Sequence, residues 1–370
     1  MTLATTPGGP RVLVLSGGLV HLVNQLAVVI GLGEREGWCA RDLAVLVTGG
    51  LRQDSAGLEA LHHHLEHWFG ALRREWPAAC AGLRLVRDSV RLLPDEWEIA
   101  CLNNLWQRCQ RQPLERLGIP LVLDCGDAVG IYYRCGRELR ALLPSLLGLP
   151  VLEPDRRVRR FLEGRQPLWH RPAGPVEPMP LSERAHLFDS LVASLGPSTD
   201  AGVEAVLALS SPGGPLWLCS VPNLAHQFPG QRLPVVVLEA WLDQLEGFER
   251  RRDRLLLIDH PKAPPGGSFG PDLPAAVAGP IRSALPLELL VRRWQQAAPQ
   301  RPLIVAGMTS ALVGVRRLTG AEVRWLALAP LWRANPNYRR RPQEFLHRWL
   351  RVRRMALLCR ESLPPLAGGR

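Results

Sequence analysis

Short apolar runs, each closing on a small or polar residue, alternate along the chain with stretches whose apolar positions recur at helical spacing. The run Arg11-Val12-Leu13-Val14-Leu15 reads as a strand, and Ser16-Gly17-Gly18 turns it into an apolar helix ending near Gly31. Residues 43–47 give a second strand. Leu58, Leu61, Leu65, Trp68 and Leu72 then fall on one face of a helix. Residues 83–86 and 98–101 read as further strands. A helical stretch over about 105–117, broken near Pro113, leads to the strand that opens at Leu121. In the second half, strands at 216–220, 255–258, 303–306 and 323–328 alternate with helices at 286–296 and 309–318. Val237, Trp241, Leu245 and Phe248 line one face of another helix. Strands alternating with helices predict an α/β fold, with parallel sheets covered on both faces.

At 370 residues the chain is long for one core, so two domains are expected. Pro167, Pro172, Pro175, Pro178 and Pro180 give residues 166–182 the stiff, extended composition of a linker. The expected organisation is a Rossmann-like domain over 10–165, that linker, a second Rossmann-like domain over 183–330, and a basic helix and tail over 331–370. The two domains would face a cleft. Residues 342–359 read as a basic amphipathic helix with Phe345, Leu346, Trp349, Val352 and Leu357 available for packing. It is a candidate to cross back to the first domain or to rest on an anionic membrane.

Composition narrows the function classes. The chain is 46% hydrophobic and 21% charged, ordinary for a soluble globular protein. The apolar stretch 12–32 is interrupted by Ser16, Gly17, Gly18, His21, Asn24 and Gln25, so no membrane span is expected there. No basic segment leads into an uninterrupted apolar run at the start, so no signal peptide is expected. The eight cysteines form no C-x-x-C pair, which disfavours zinc ribbons and thioredoxin-like chemistry. Several lie in apolar runs as small hydrophobes, in keeping with a reducing cytoplasm. Net charge is +11, and Lys262 is the single lysine among 45 basic residues. The excess collects late, at Arg339, Arg340, Arg341, Arg348, Arg351, Arg353 and Arg354. No zinc-finger spacing or interleaved aromatic motif accompanies it, so nucleic acid is not an expected partner. Anionic substrates and membrane surfaces are.

The candidate chemistry gathers at strand ends, where open α/β sheets bind ligands. The segment 121–133 runs from an apolar strand into a loop holding Asp124, Gly126, Asp127, Gly130, Tyr132 and Tyr133. A carboxylate there is placed to take a proton, and either Asp127 or Asp124 fills that role. His260-Pro261-Lys262 follows a second strand; the histidine can donate to a phosphate oxygen and the lysine adds a point charge. Gly307-Met308-Thr309-Ser310 follows a third, offering hydroxyls and free N–H groups to an anion. His62, His63 and Glu66 fall on the polar face of their helix, which reads as solvated rather than as a metal site. Asp95-Glu96-Trp97-Glu98 reads as surface.

Taken in order, these motifs resemble those of the bacterial sialyltransferase and polysialyltransferase families. Asn103-Asn104-Leu105-Trp106-Gln107 and Gly126-Asp127-Ala128-Val129-Gly130-Ile131-Tyr132-Tyr133 are similar to the family's acidic-Gly passage. Ser16-Gly17-Gly18-Leu19-Val20-His21-Leu22-Val23-Asn24 resembles its first acceptor-side turn, and Pro286-Leu287-Glu288 its Pro-x-Glu helix. Ala128 replaces the motif's second glycine, Cys125 stands where an acid or tyrosine is usual, Asn104 where arginine is frequent, and Thr309-Ser310 where Ser-Ser or Ser-Thr is commoner. The resemblance implies a two-domain GT-B fold and an inverting, metal-independent glycosyltransferase with no bound cofactor. It would move sialic acid, or a related nonulosonic acid, from a CMP-activated co-substrate to a glycan or glycolipid hydroxyl. It implies a base at Asp127 or Asp124, with His260 assisting. It implies donor and phosphate contacts from His260, Pro261, Lys262, Gly307, Thr309, Ser310 and Glu288. Ser16, Gly17, Asn24, Asn104 and Gln107 would lie on the acceptor side. The implied location is cytoplasmic, with peripheral contact at the inner face of an anionic membrane. Another nucleotide-sugar donor, or a non-catalytic nucleotide- or sugar-binding relative, fits the same motifs.

Overall fold

The computed structural model describes residues 8–48, 55–103, 108–126, 157–162, 176–195, 201–209, 214–221, 232–260, 263, 267–283, 285–335, 339–340 and 342–360. The chain divides into two compact units, Met1–Gly196 and Pro197–Arg370. In the first, β1 (Arg11–Ser16), β2 (Asp42–Val47), β3 (Leu83–Val86), β4 (Ile99–Leu102), β5 (Leu121–Asp124), β6 (Arg157–Leu162) and β7 (Val176–Pro178) form one sheet in the order 3-2-1-4-5-6-7. Every pairing is parallel. Parallel strands need both faces covered, which is why their sequences are continuous apolar runs. Among the described residues its α-helices are α1 (Leu19–Glu36), α2 (Ser55–Glu75), α3 (Pro77–Cys80), α4 (Arg108–Leu117) and α5 (Leu181–Ser194). Leu13, Leu15, Ala100, Leu102, Leu114, Leu117 and Val122 belong to one buried cluster on this sheet. Gly37, with φ 71°, ends α1 by donating its N–H to the Gly33 carbonyl.

Two expectations change here. The unit boundary falls at Gly196/Pro197, beyond the Pro-rich segment expected as the linker. Part of that segment is β7, which pairs with β6 as the edge strand, a position that tolerates the missing N–H of Pro178. The following α5 packs on α1 and α2 and so belongs to the first unit. Likewise α4 runs through Pro113, held by the fully buried Leu114 and Leu117.

The second unit contains α6 (Ala201–Leu209), β8 (Leu216–Ser220), α7 (Val235–Leu242), β9 (Leu255–Ile258), β10 (Val277–Ile281), α8 (Leu287–Ala297), β11 (Leu303–Gly307), α9 (Ala311–Gly314), β12 (Glu322–Trp325), α10 (Ala329–Ala334) and α11 (Pro342–Arg360). Its sheet is again parallel throughout, in the order 10-9-8-11-12. Leu218, Leu256, Leu290, Trp294, Val305 and Leu312 meet in its core. The helix expected over 309–318 is α9 continued by a π turn, Val315–Thr319, and stopped by Gly320 in the left-handed region. Leu245 and Phe248 lie past the end of α7, yet Leu245 is buried and Phe248 packs edge-on against Trp217 at 5.4 Å. The basic helix α11 belongs to this unit, packs on α9 and buries Met355 and Val352. Both units are Rossmann-like.

Candidate functional site

In each sheet the chain order reverses once, leaving a crevice at the carboxyl ends of two neighbouring strands, the usual place for a ligand. In the first unit the reversal lies between β1 and β4, and the residues leaving those strands are polar. The Ser16 carbonyl accepts from the Thr48 N–H at 2.7 Å and from Thr48 Oγ1 at 3.2 Å, tying β1 to the end of β2. The Gly17 N–H donates to Asn103 Oδ1 at 3.3 Å, tying β1 to the end of β4. Gln110, from α4, donates from Nε2 to the same Asn103 oxygen and to Thr48 Oγ1 at 3.4 Å. Ser16 Oγ donates to the Gly18 carbonyl at 3.0 Å, and α1 starts with the Leu22 N–H on that carbonyl at 2.9 Å. Gln25, fully buried, donates to the Leu15 carbonyl at 2.7 Å and holds the underside of the strand pair.

Of the residues expected on the acceptor side, Ser16 and Gly17 sit at this strand end and Asn24 is buried on the second turn of α1. Asn104 and Gln107 lie outside the described residues. The pattern did not single out Asn103, Gln110, Thr48 or His21 as site residues. Asn103 carries the one usable signal, a polar residue directly after a buried strand.

Asp124, the last residue of β5, is buried and accepts the Gly126 N–H at 3.2 Å, a local turn closed by a side chain. Asp127 lies outside the described residues. Cys125, beside Asp124, places its thiol 3.4 Å from that of Cys101. Burial first, then Cys101 and the Asp124 charge, push the Cys125 thiol well above the ordinary range.

The second reversal lies between β8 and β11. Gly307 stands opposite Ser220 in the strand register, and a Cβ on Gly307 would come within 2.8 Å of the Ser220 carbonyl oxygen. Glycine therefore lets the two strands close where they end. The next turn carries Thr309 and Ser310, whose carbonyls accept from Leu312 and Val313 to begin the helix. Thr309 Oγ1 is buried with no hydrogen-bond partner among the described residues. At the end of β9, Asp259 is buried and accepts the Ser268 N–H at 3.1 Å, folding the 267–268 turn back onto the strand end. His260 follows, half-buried, its carbonyl accepting from Ala263 at 2.8 Å. Pro261 and Lys262 lie outside the described residues. Glu288, on the first turn of α8, is buried against Gly314: a Cβ on that glycine would meet Glu288 Oε1 at 2.6 Å.

One expectation about the histidine-rich helix fails. His62 is buried at 5% exposure, because it shares a face with Leu65 and Phe69 rather than with solvent. Glu66 does face out and pairs with Arg87 at 3.1 Å. Among the described residues no cluster of His, Cys, Asp and Glu side chains is suited to hold a metal ion. Nor is any described helix long and apolar enough to cross a membrane.

No protein-family profile matches the chain, and no curated protein matches it. Among solved structures it is similar to one described as the glycotransferase of kitacinnamycin, at 14% identity over 96% of this chain and 100% of that one, with a TM-score of 0.29.

Proposed function

We propose that the chain is an inverting glycosyltransferase that moves sialic acid, or a related nonulosonic acid, from its CMP-activated form to a glycan hydroxyl. The observation that carries this is the β8/β11 strand end, where Gly307 closes on Ser220 and the adjacent Thr309 hydroxyl is buried without a partner among the described residues. A departing phosphate gains charge as the glycosidic bond breaks and needs preorganised donors. Thr309, Ser310 and the N–H groups of their turn would supply them, with His260 and Lys262 from the end of β9. Glu288 would fix the turn from beneath through α9, a change from the direct donor contact that the family resemblance implies. In the first unit Asp127 would take the proton of the acceptor hydroxyl, since the Asp124 carboxylate already closes the turn at Gly126. The transition state would be oxocarbenium-like, as in glycoside hydrolysis.

The same protein would reach lipid-linked acceptors from the cytoplasmic face of a membrane. Helix α11 supports this with exposed Leu346, Trp349, Leu350 and Leu357, and with Arg353 stacked 4.7 Å over the Trp349 ring. Sedimentation with phosphatidylglycerol vesicles at low salt tests it; no binding there rejects the membrane contact.

Calorimetric titration with CMP, UMP and GMP, with and without magnesium, tests the donor. Metal-independent preference for CMP supports the sialyl donor. Preference for UMP or GMP moves the chain to another nucleotide-sugar class, and binding of none removes the transferase reading.

A further inference from the structure

Ser220, at the end of β8, stands opposite both Ile258 of β9 and Gly307 of β11, so three strands of the second unit end in one row. In chain order that sheet runs third, second, first, fourth, fifth, and Asp259 is the first residue past its second strand. The first unit repeats this order over its first five strands; there Ser16 stands opposite Val47, and Thr48 follows. Thr48 spends its hydroxyl inside the fold, on the Ser16 carbonyl and Gln110. The equivalent place in the second unit holds a carboxylate. Asp259 is 4% exposed, and among the described residues it accepts from one group, the Ser268 N–H, at 3.1 Å to Oδ2 and 3.4 Å to Oδ1. No Arg, Lys or His among the described residues pairs with it. An asparagine would close that turn with its own oxygen and without the cost of burying a charge. A carboxylate has about four acceptor sites, so most of its capacity is left for a ligand that brings hydrogen-bond donors.

We propose that Asp259 is the ribose-binding residue of the nucleotide site, accepting from the 2′- and 3′-hydroxyls of the donor; this rests on the nucleotide-sugar reading above. A carboxylate just past the second strand of a doubly wound sheet is where such folds hold a ribose hydroxyl. The spacing agrees. The Thr309–Ser310 turn leaves the same row from β11, two strands from β9, which is about 10 Å at the usual strand separation. A nucleoside 5′-phosphate spans that gap with its phosphate at the turn and its diol at Asp259. The carboxylate repels phosphate, which fixes the direction in which the nucleotide lies. The motif behind the family resemblance starts one residue later, at His260, and assigns nothing to Asp259.

The test is calorimetric titration of the full chain, as wild type and Asp259→Asn, with CMP, UMP and GMP and with their 2′,3′-dideoxy counterparts. Wild type should bind its preferred ribonucleotide at least about tenfold more tightly than the dideoxy form. Asp259→Asn should bring the two forms within about twofold of each other. Its urea unfolding midpoint should stay unchanged, since its oxygen still takes the Ser268 N–H. Equal binding of both forms by wild type, or a preference that survives in Asp259→Asn, overturns the proposal. A variant that loses stability overturns it as well, because the charge would then serve the fold. Ribose discrimination lost in Asp259→Asn, with UMP or GMP preferred, keeps this site and removes the sialyl donor. Preference for CMP without ribose discrimination does the reverse, and binding of no nucleotide by wild type removes both.

Discussion

The Gly17 N–H and the Asn103 side chain, separated by 86 positions in sequence, are joined by a hydrogen bond of 3.3 Å at the ends of two adjacent parallel strands. Asn103 is 4% exposed, and its Oδ1 serves two donors at once. Asn103→Leu removes that acceptor and takes a partner from the Gly17 N–H and from one N–H of the buried Gln110 amide. The expected loss is about 1–3 kcal/mol of stability, read from urea unfolding. A variant as stable as wild type would show that water replaces the side chain at this strand end.

How much of this was readable beforehand follows from what each residue touches. Strands β1, β2, β5, β8, β9 and β11 announce themselves because burial on both faces demands unbroken apolar runs. Strand β6 does not, because Arg157-Val158-Arg159-Arg160 reads as a charged surface. Arg159 is accommodated by Glu177 on β7 and Glu36 on α1, at 2.5 and 2.6 Å, and neither pairing is visible locally. The same limit hides the polar contacts at Gly17. Ser16 and Gly17 are legible as a strand-to-helix turn, but Asn103 and Gln110 reach them only because the strand order places β4 beside β1. The hydroxyls of Thr309 and Ser310 needed no such help, since strand, turn and helix are contiguous there.

The buried Glu288 carboxylate and Gly314 make a second testable pair. Gly314→Ala would place a methyl 2.6 Å from Oε1 and 2.8 Å from Cγ of Glu288. Overpacking of this kind costs about 1–3 kcal/mol. Glu288→Ala removes the obstructing atoms, so the double variant should be more stable than the two single losses sum to. Strict additivity in a double-mutant cycle would mean that the glutamate swings clear at no cost.

Acid should weaken the first unit through Asp42. Burial alone would raise its carboxyl, but the hydrogen bonds and charges of Arg84 and Arg11 outweigh that and hold it below the usual carboxylate range. The folded value is thus the lower one. Its contribution is present above the unfolded value, near 3.9, and is lost as pH falls through the folded value. Asp42→Asn should therefore lower Tm at pH 7, and the difference from wild type should close as the pH drops below about 4. A gap that persists in acid would assign the loss to packing or hydrogen bonding instead of charge.

Thiol reactivity should follow burial. Cys80 and Cys219 are pushed up to about 12, chiefly by desolvation, and Cys125 is raised beside Cys101. Cys39 is exposed. Iodoacetamide at pH 8 should label Cys39 in the native protein and reach Cys80, Cys101, Cys125 and Cys219 only in denaturant, as read by peptide mass mapping. Native labelling of Cys125 would mean that the β4/β5 strand end opens.

Two threonines separate the demands of folding from those of binding. Thr48 Oγ1 donates to the Ser16 carbonyl and accepts from Gln110, so Thr48→Val leaves buried groups unmet and should cost about 1–3 kcal/mol. Thr309 Oγ1 has no partner among the described residues, so Thr309→Val exchanges an unsatisfied hydroxyl for a methyl and should leave stability unchanged or slightly raised. If that hydroxyl meets the donor phosphate, the same substitution should weaken CMP binding about tenfold. Unfolding midpoints and calorimetric titration on the two variants read both effects. A Thr309→Val protein that binds CMP normally would remove the hydroxyl from the phosphate site and leave Ser310 and the turn's N–H groups to carry it.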